Sequence, residues 1–76
     1  MKRSEFLILL DDLLEFEPGT IKGDEDLEDT SEWDSMAIIG FIALIDETFE
    51  ITLPPKRIAV CKTIEDLIKL LGDKIN

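Results

Sequence analysis

The feature that most constrains this chain is a run of ten residues, Met36 to Ile45, in which every residue is apolar or glycine. A helix of that length is too short to cross a bilayer core about 30 Å thick, so the run predicts a central, mostly buried helix. Asp34 and Ser35 stand immediately before it. Asp is a favoured N-cap residue, and Ser35 then occupies the first helical position, with its hydroxyl directed to solvent near the positive end of the helix dipole. The pattern therefore predicts a helix start that is suited to holding a phosphate.

Length and charge limit the possible functions. The chain has 76 residues, with 18 acidic and 8 basic side chains and a net charge of −10 at pH 7. We expect a single small domain over residues 1–76 with a thin core. The negative charge argues against binding nucleic acid or an anionic membrane surface and favours a basic protein partner. A single cysteine permits no internal disulfide, and no convincing signal peptide is visible, so the expected location is the cytoplasm.

Histidine and tyrosine are both absent from the sequence. The commonest general base and the Ser-His and Cys-His pairs that activate nucleophiles are therefore missing. The sequence predicts that the chain is not an enzyme. Cys61 is predicted to be a small buried hydrophobic residue rather than a catalytic one.

Three further segments have helical patterns. Ser4 is the predicted cap of the first helix, which Phe16 and Pro18-Gly19 end; Asp11 and Asp12 are predicted on its solvent face. After Pro54-Pro55, a short helix is predicted from Lys56 to Val60. Thr63 is the predicted cap of the last helix, with Asp66 completing a capping box. The apolar residues predicted to face the core are Phe6, Leu9, Leu10, Leu13 and Leu14 in the first helix and Ile64, Leu67, Ile68, Leu71 and Ile75 in the last. The predicted fold is all-α, a small antiparallel four-helix bundle with a long first loop and a short third helix.

The long connection, residues 17 to 34, has no sustained periodicity, and a loop of this length in a small domain is often functional. Its aliphatic residues Ile21 and Leu27 are predicted to pin it to the bundle. The acidic stretch from Asp24 does not fit a calcium-binding EF-hand, because the sixth position is not glycine and the twelfth is Ser35. A solvated acidic loop is the favoured interpretation, while loose binding of a divalent ion stays open.

The triplet Asp34-Ser35-Met36, opening an apolar helix after a long acidic loop, resembles the Asp-Ser-Leu signature of acyl carrier proteins. The resemblance covers nearly the whole chain, including the Phe49-x-Ile51-x-Leu53-Pro54 exit and the Thr63-Ile64-Glu65-Asp66-Leu67 start of the last helix. It implies that Ser35 carries 4'-phosphopantetheine, which a phosphopantetheinyl transferase attaches from coenzyme A with magnesium. Asp34 would cap the helix and help the transferase to recognise the site.

The resemblance also implies a function. The protein would be a monomeric acyl carrier protein that receives acyl groups as thioesters from acyl-loading enzymes and delivers them to acyl-using enzymes. Its strong acidity favours a fatty-acid, lipid or polyketide-type pathway, and its apolar second helix favours a specialised one.

Two departures from the family pattern concern the neighbourhood of Ser35. Glu32 stands where the family commonly has a glycine, which puts the local turn in question. Ala37 and Gly40 occupy places where acidic residues often dock partner enzymes, so we predict docking through shape and apolar contact. Gly40 also calls for a packing or docking reason, because glycine weakens a helix. The predicted partner-binding residues are Met36, Ala37, Gly40, Phe41, Asp46 and Glu47.

The faces of the second helix are harder to assign from sequence. We predict that Met36, Ile39, Ile42 and Phe49 face the core and that Ile38, Phe41 and Ile45 lie wholly or partly off that stripe. The alternative is that another helix covers the second group.

Two functions from other classes stay open. The chain could be an acidic helical protein-interaction module without a prosthetic group, since its second helix lacks the usual acidic face. An acidic mimic of nucleic acid is a third possibility, which depends on net charge alone.

Overall fold

The computed structural model describes residues 1–75 and contains four α-helices. They are α1 (Arg3–Leu13), α2 (Ser35–Phe49), α3 (Pro55–Ala59) and α4 (Ile64–Leu71), and a 3-10 turn, Gly72–Lys74, follows α4. The predicted all-α fold with a long first loop and a short third helix is confirmed, although α3 begins and ends one residue earlier than predicted. No helix within residues 1–75 is long and apolar enough to cross a membrane.

A single cluster of buried apolar side chains forms the core. The helix α2 packs against both α1 and α3. Ile21 and Leu27 are buried, as predicted, and attach the long loop to the core. The other buried apolar residues are Phe6, Leu10, Leu14, Phe41, Ile45, Leu53, Ile58, Ile64, Leu67, Ile68 and Leu71.

The helix α1 differs from its prediction at its start and on one face. It begins at Arg3 with Lys2 as N-cap, and the Glu5 carboxylate accepts a 3.1 Å hydrogen bond from the Lys2 N–H. The prediction that Ser4 caps the helix is therefore wrong, and Ser4 lies exposed inside it. The solvent-face prediction is right for Asp12 and wrong for Asp11, which is completely buried.

The core face of α2 differs from the predicted one at four positions, whereas Ile42 and Phe49 are half-buried and pack against the core as predicted. Phe41 and Ile45 are buried, whereas Met36 is 79% and Ile39 is 67% exposed. The first turns of α2 are apolar on all sides, so periodicity could not distinguish the faces. What selects the buried face is packing, because the Phe41 ring lies edge-on to Phe6 of α1 with ring centroids 6.3 Å apart. Phe41 is therefore a core residue, and its prediction as a partner contact is wrong.

The second half of the long loop is attached to the start of α4. Asp26 and Thr63 form an isolated antiparallel bridge, flanked by hydrogen bonds from the Leu27 N–H to the Lys62 carbonyl at 2.8 Å and from the Ile64 N–H to the Glu25 carbonyl at 3.1 Å. Burial alone would raise the pKa of Glu25, but hydrogen bonds from the Lys22 and Gly23 N–H groups lower it below its ordinary value. The acidic loop is thus held by backbone hydrogen bonds to the residues around the start of α4 and by the Glu25 carboxylate within the loop.

The predicted capping box of α4 is confirmed. Thr63 Oγ1 accepts a hydrogen bond from the Asp66 N–H at 3.2 Å, and the Asp66 carboxylate accepts from the Thr63 N–H at 3.2 Å and the Lys62 N–H at 2.9 Å. The hydrogen bonds from Lys62 and Thr63 lower the pKa of Asp66. In the same region an ion pair between Arg3 and Glu65 joins the start of α1 to the start of α4.

Candidate functional site

The site is built around the first turn of α2. Asp34 has extended backbone geometry (φ −111°, ψ −174°), and its Oδ1 accepts a 2.9 Å hydrogen bond from the Ala37 N–H. Its carbonyl accepts from the Ile38 N–H at 3.0 Å, the first bond of the helix ladder. The predicted role of Asp34 as helix cap is therefore confirmed.

Ser35 is the first residue of α2 and is exposed to solvent. The cap uses the N–H groups of Ala37 and Ile38, so those of Ser35 and Met36 have no acceptor among the described residues. Free N–H groups and the helix dipole together make an anion-binding position, and the α2 segment Ser35–Ile45 brings no acidic side chain to it. A phosphate linked to the Ser35 hydroxyl would fit here without displacing any side chain from the core.

The approach to Ser35 is held by aromatic packing. Half-buried Trp33 lies edge-on to Phe41, with ring centroids 5.6 Å apart and an interplanar angle of 71°. Phe41 in turn contacts Phe6, so three rings connect the residue before the cap to the core. Glu32 has no left-handed backbone conformation, so the turn does not require the glycine that the family commonly has there.

Of the predicted partner-binding residues, several are accessible and others are not. Met36, Asp46 and Glu47 are exposed, and Ala37 is half-buried. Gly40 lies against α1, where a Cβ atom would come within 2.9 Å of the Leu13 Cδ1. A larger residue here would require the end of the Leu13 side chain to move, so the close approach of α1 and α2 favours glycine.

Two cavities flank the first turn of α2. The first, about 280 Å³, is lined by residues of the α1 end, the loop and the α2 start, namely Leu13, Leu14, Glu15, Glu32, Asp34, Met36 and Ala37. The second, about 270 Å³, lies towards α3 and is lined by Leu27, Glu28, Trp33, Ile38, Ile58, Ala59 and Cys61. Of these two cavities, only the first is lined by both immediate neighbours of Ser35, Asp34 and Met36.

Cys61 is half-buried rather than fully buried as predicted, and it packs against the core. Burial, followed by the charge of Asp66, raises the pKa of its thiol, while Arg57 acts in the opposite direction. The thiol donates a 3.4 Å hydrogen bond to the Arg57 carbonyl. These surroundings favour the protonated thiol, which is a poor nucleophile.

The sequence analysis missed the roles of two residues that shape this region. Asp11 binds the loop backbone from within the core, and its position one residue after buried Leu10 and three before buried Leu14 was the available signal. Glu15 has a left-handed backbone (φ 62°) where α1 ends, a conformation that sequence gave no reason to expect for glutamate. Within residues 1–75, no group of three or more acidic or thiol side chains is arranged to hold a metal ion.

The comparisons with known proteins agree with this geometry. The model of a family described as "phosphopantetheine attachment site" matches residues 5–71, which is most of the chain. No curated protein and no solved structure matches significantly. Members of this family are carrier domains with covalently bound 4'-phosphopantetheine. The chain belongs to the family of phosphopantetheine-binding carrier domains.

Proposed function

We propose that this protein is an acyl carrier protein and that Ser35 is the residue to which 4'-phosphopantetheine is attached. The single observation that carries the proposal is the exposed hydroxyl at the first position of a capped 15-residue helix, next to two free N–H groups. Of the other two serines, Ser4 lies inside α1 and Ser31 in the long loop, so neither has this environment.

The residues around Ser35 have distinct tasks in this function. Asp34 fixes the first turn through the Ala37 N–H, and Trp33 holds the preceding backbone against Phe41. The free N–H groups of Ser35 and Met36 stabilise the negative charge of the phosphodiester. When bound, the prosthetic group supplies a terminal thiol that carries the acyl chain as a thioester. Tethering of the acyl group to the carrier raises its effective concentration at a partner enzyme that binds the carrier.

The partner surface is proposed to include the exposed side of α2. Met36 and Ile39 are large, mostly exposed apolar side chains on this surface, and Asp46 and Glu47 add charge at the far end. A phosphopantetheinyl transferase and the acyl-loading and acyl-using enzymes would contact this side. The specialised fatty-acid, lipid or polyketide-type pathway remains part of the proposal, and the mass of the acyl group on protein recovered from its own cells would identify it.

The test is intact-mass measurement after incubation with coenzyme A, magnesium and a phosphopantetheinyl transferase. We expect a gain of one phosphopantetheine, which Ser35→Ala abolishes. The matched controls are Ser4→Ala and Ser31→Ala, exposed serines that should leave the gain intact. If Ser31→Ala alone abolished the mass increase, Ser31 and not Ser35 would be the attachment site. If the unaltered protein gained no mass, an interaction module without a prosthetic group would be favoured.

A further inference from the structure

A third cavity, of about 260 Å³, lies along the end of α1 and is walled partly by the long loop. It adjoins the 280 Å³ cavity beside Ser35, because Leu14 and Glu32 line both. We call the two together the α1–loop groove. The wall of its second half consists of Leu14, Phe16, Thr20, Ile21, Glu25, Asp29, Thr30, Glu32 and Ile64.

The groove has an apolar floor and an acidic rim. Buried Leu14 and half-buried Phe16 provide floor, whereas Glu15, Asp29 and Glu32 are exposed at the rim. None of these three carboxylates forms a salt bridge within residues 1–75, and no lysine or arginine lines either cavity. The rim therefore presents negative charge that the chain itself does not neutralise.

The carboxylates beside Ser35 belong to the rim of the groove and to Asp34, because the first turns of α2 carry no charge. The α2 segment from Ser35 to Ile45 carries no charged residue, and its first acidic side chain is Asp46 in the fourth turn. Asp34 and Met36, the two neighbours of Ser35 in sequence, line the same cavity as Glu15 and Glu32. A cationic protein that acts on the Ser35 hydroxyl therefore meets the acidic rim of the groove beside the hydroxyl.

The chemistry of the groove helps to identify its occupant. Arginine and lysine side chains combine an aliphatic stem with a terminal charge, which matches an apolar floor with an acidic rim. The charge complementarity therefore favours the side chains of a basic protein segment as the occupant.

We propose that the α1–loop groove receives a basic segment of the phosphopantetheinyl transferase, with cationic side chains over Leu14 and Phe16 and their charges beside Glu15, Asp29 and Glu32. This inference rests on the proposed attachment at Ser35. Contacts of this kind act mainly on encounter and are weakened by salt. The transferase thus recognises this carrier from the α1 side as well as along α2.

The test compares rates of phosphopantetheine transfer by a purified transferase that modifies the unaltered protein. The groove variant is Glu15→Gln with Glu32→Gln, and the control is Asp12→Asn with Asp73→Asn, which removes the same charge from exposed residues outside both cavities. We expect kcat/KM to fall about five- to tenfold in the groove variant, mostly through KM, and to change less than about twofold in the control. Raising NaCl from roughly 0.05 to 0.5 M should lower the rate of transfer to the unaltered protein more than the rate of transfer to the groove variant.

The outcomes separate the two proposals. Equal rates for the groove variant and the unaltered protein, or an equal loss in the control, would overturn the groove as a docking site while leaving Ser35 as the attachment site. Absence of transfer to the unaltered protein in the intact-mass test would overturn the proposed function instead. Glu32→Lys, at an exposed position, provides a second variant that reverses the charge. We expect it to lower kcat/KM for transfer more than the groove variant does, with an unchanged thermal unfolding temperature.

Discussion

Asp11 and Ile21 are joined by a buried hydrogen bond that attaches the long loop to α1. The Asp11 Oδ1 accepts from the Ile21 N–H at 2.9 Å, and its Oδ2 accepts from the Gly19 N–H at 2.8 Å. Asp11 is completely buried, and no basic side chain is hydrogen-bonded to it within residues 1–75. Two backbone donors thus stabilise a core carboxylate, and the carboxylate in turn fixes the beginning of the loop.

We predict that Asp11→Asn lowers the free energy of unfolding by about 1–3 kcal/mol, because an amide has one acceptor oxygen and leaves a buried N–H unpaired. Urea unfolding followed by circular dichroism measures the loss. Asp12→Asn, one residue away and exposed, should change stability by less than about 0.5 kcal/mol. Similar values for the two variants would contradict the anchoring role of Asp11.

Features that depend on residues close together in the chain could be predicted from the sequence. The caps Asp34 and Thr63 act through backbone groups three residues away, so a short stretch contains everything needed to predict them. Ile21 and Leu27 were predictable as anchors because they are aliphatic residues in a polar loop. Ser35 was likewise predictable as an exposed first-turn residue.

Features that depend on long-range packing were not predictable. The buried face of α2 is selected by Phe6, about 35 residues earlier in the chain, and a helix that is apolar on all sides contains no signal of that choice. The groove has the same origin, because Glu15 and Glu32 come from separate segments and meet at one cavity only after α1 and α2 pack.

The corrected core face of α2, with Ile45 buried and Ile39 exposed, leads to a prediction with a matched pair of substitutions. Ile45→Ala removes a side chain that is 1% exposed and should cost about 2–5 kcal/mol, which is a large fraction of the stability of a small domain. Ile39→Ala makes the same chemical change at a side chain that is 67% exposed and should cost less than about 1 kcal/mol. Thermal unfolding of both variants measures the difference, and the opposite order would restore the face predicted from sequence.

At the end of α2, we predict that two glycine substitutions change the free energy of unfolding in opposite directions. Glu50 caps the helix in the left-handed conformation (φ 58°), with its N–H donating to the Asp46 carbonyl at 2.9 Å. Glycine adopts this conformation without the steric penalty of a Cβ atom, so Glu50→Gly should raise the free energy of unfolding by about 0.5–1 kcal/mol. Glu47→Gly, inside the last turns of the helix, should lower it by about 0.5–1 kcal/mol. Denaturant midpoints of the two variants should therefore move in opposite directions, and a shared direction would contradict the strained cap.

The capping box of α4 predicts a specific dependence of stability on pH. Hydrogen bonds from the Lys62 and Thr63 N–H groups lower the pKa of Asp66 in the folded protein. Its contribution to stability is therefore present above the unfolded-state value of about 3.9 and is lost as the pH falls through the lower folded value. Asp66→Asn removes this titration while leaving one oxygen as an acceptor, so the stability difference between the unaltered protein and the variant should shrink between pH 6 and roughly pH 2–3. Urea unfolding of both proteins across this range measures that difference. The pH dependence that comes from the other acidic residues is common to both proteins and largely cancels. A difference that stays constant with pH would mean that the Asp66 carboxylate has the same pKa in the folded and unfolded states.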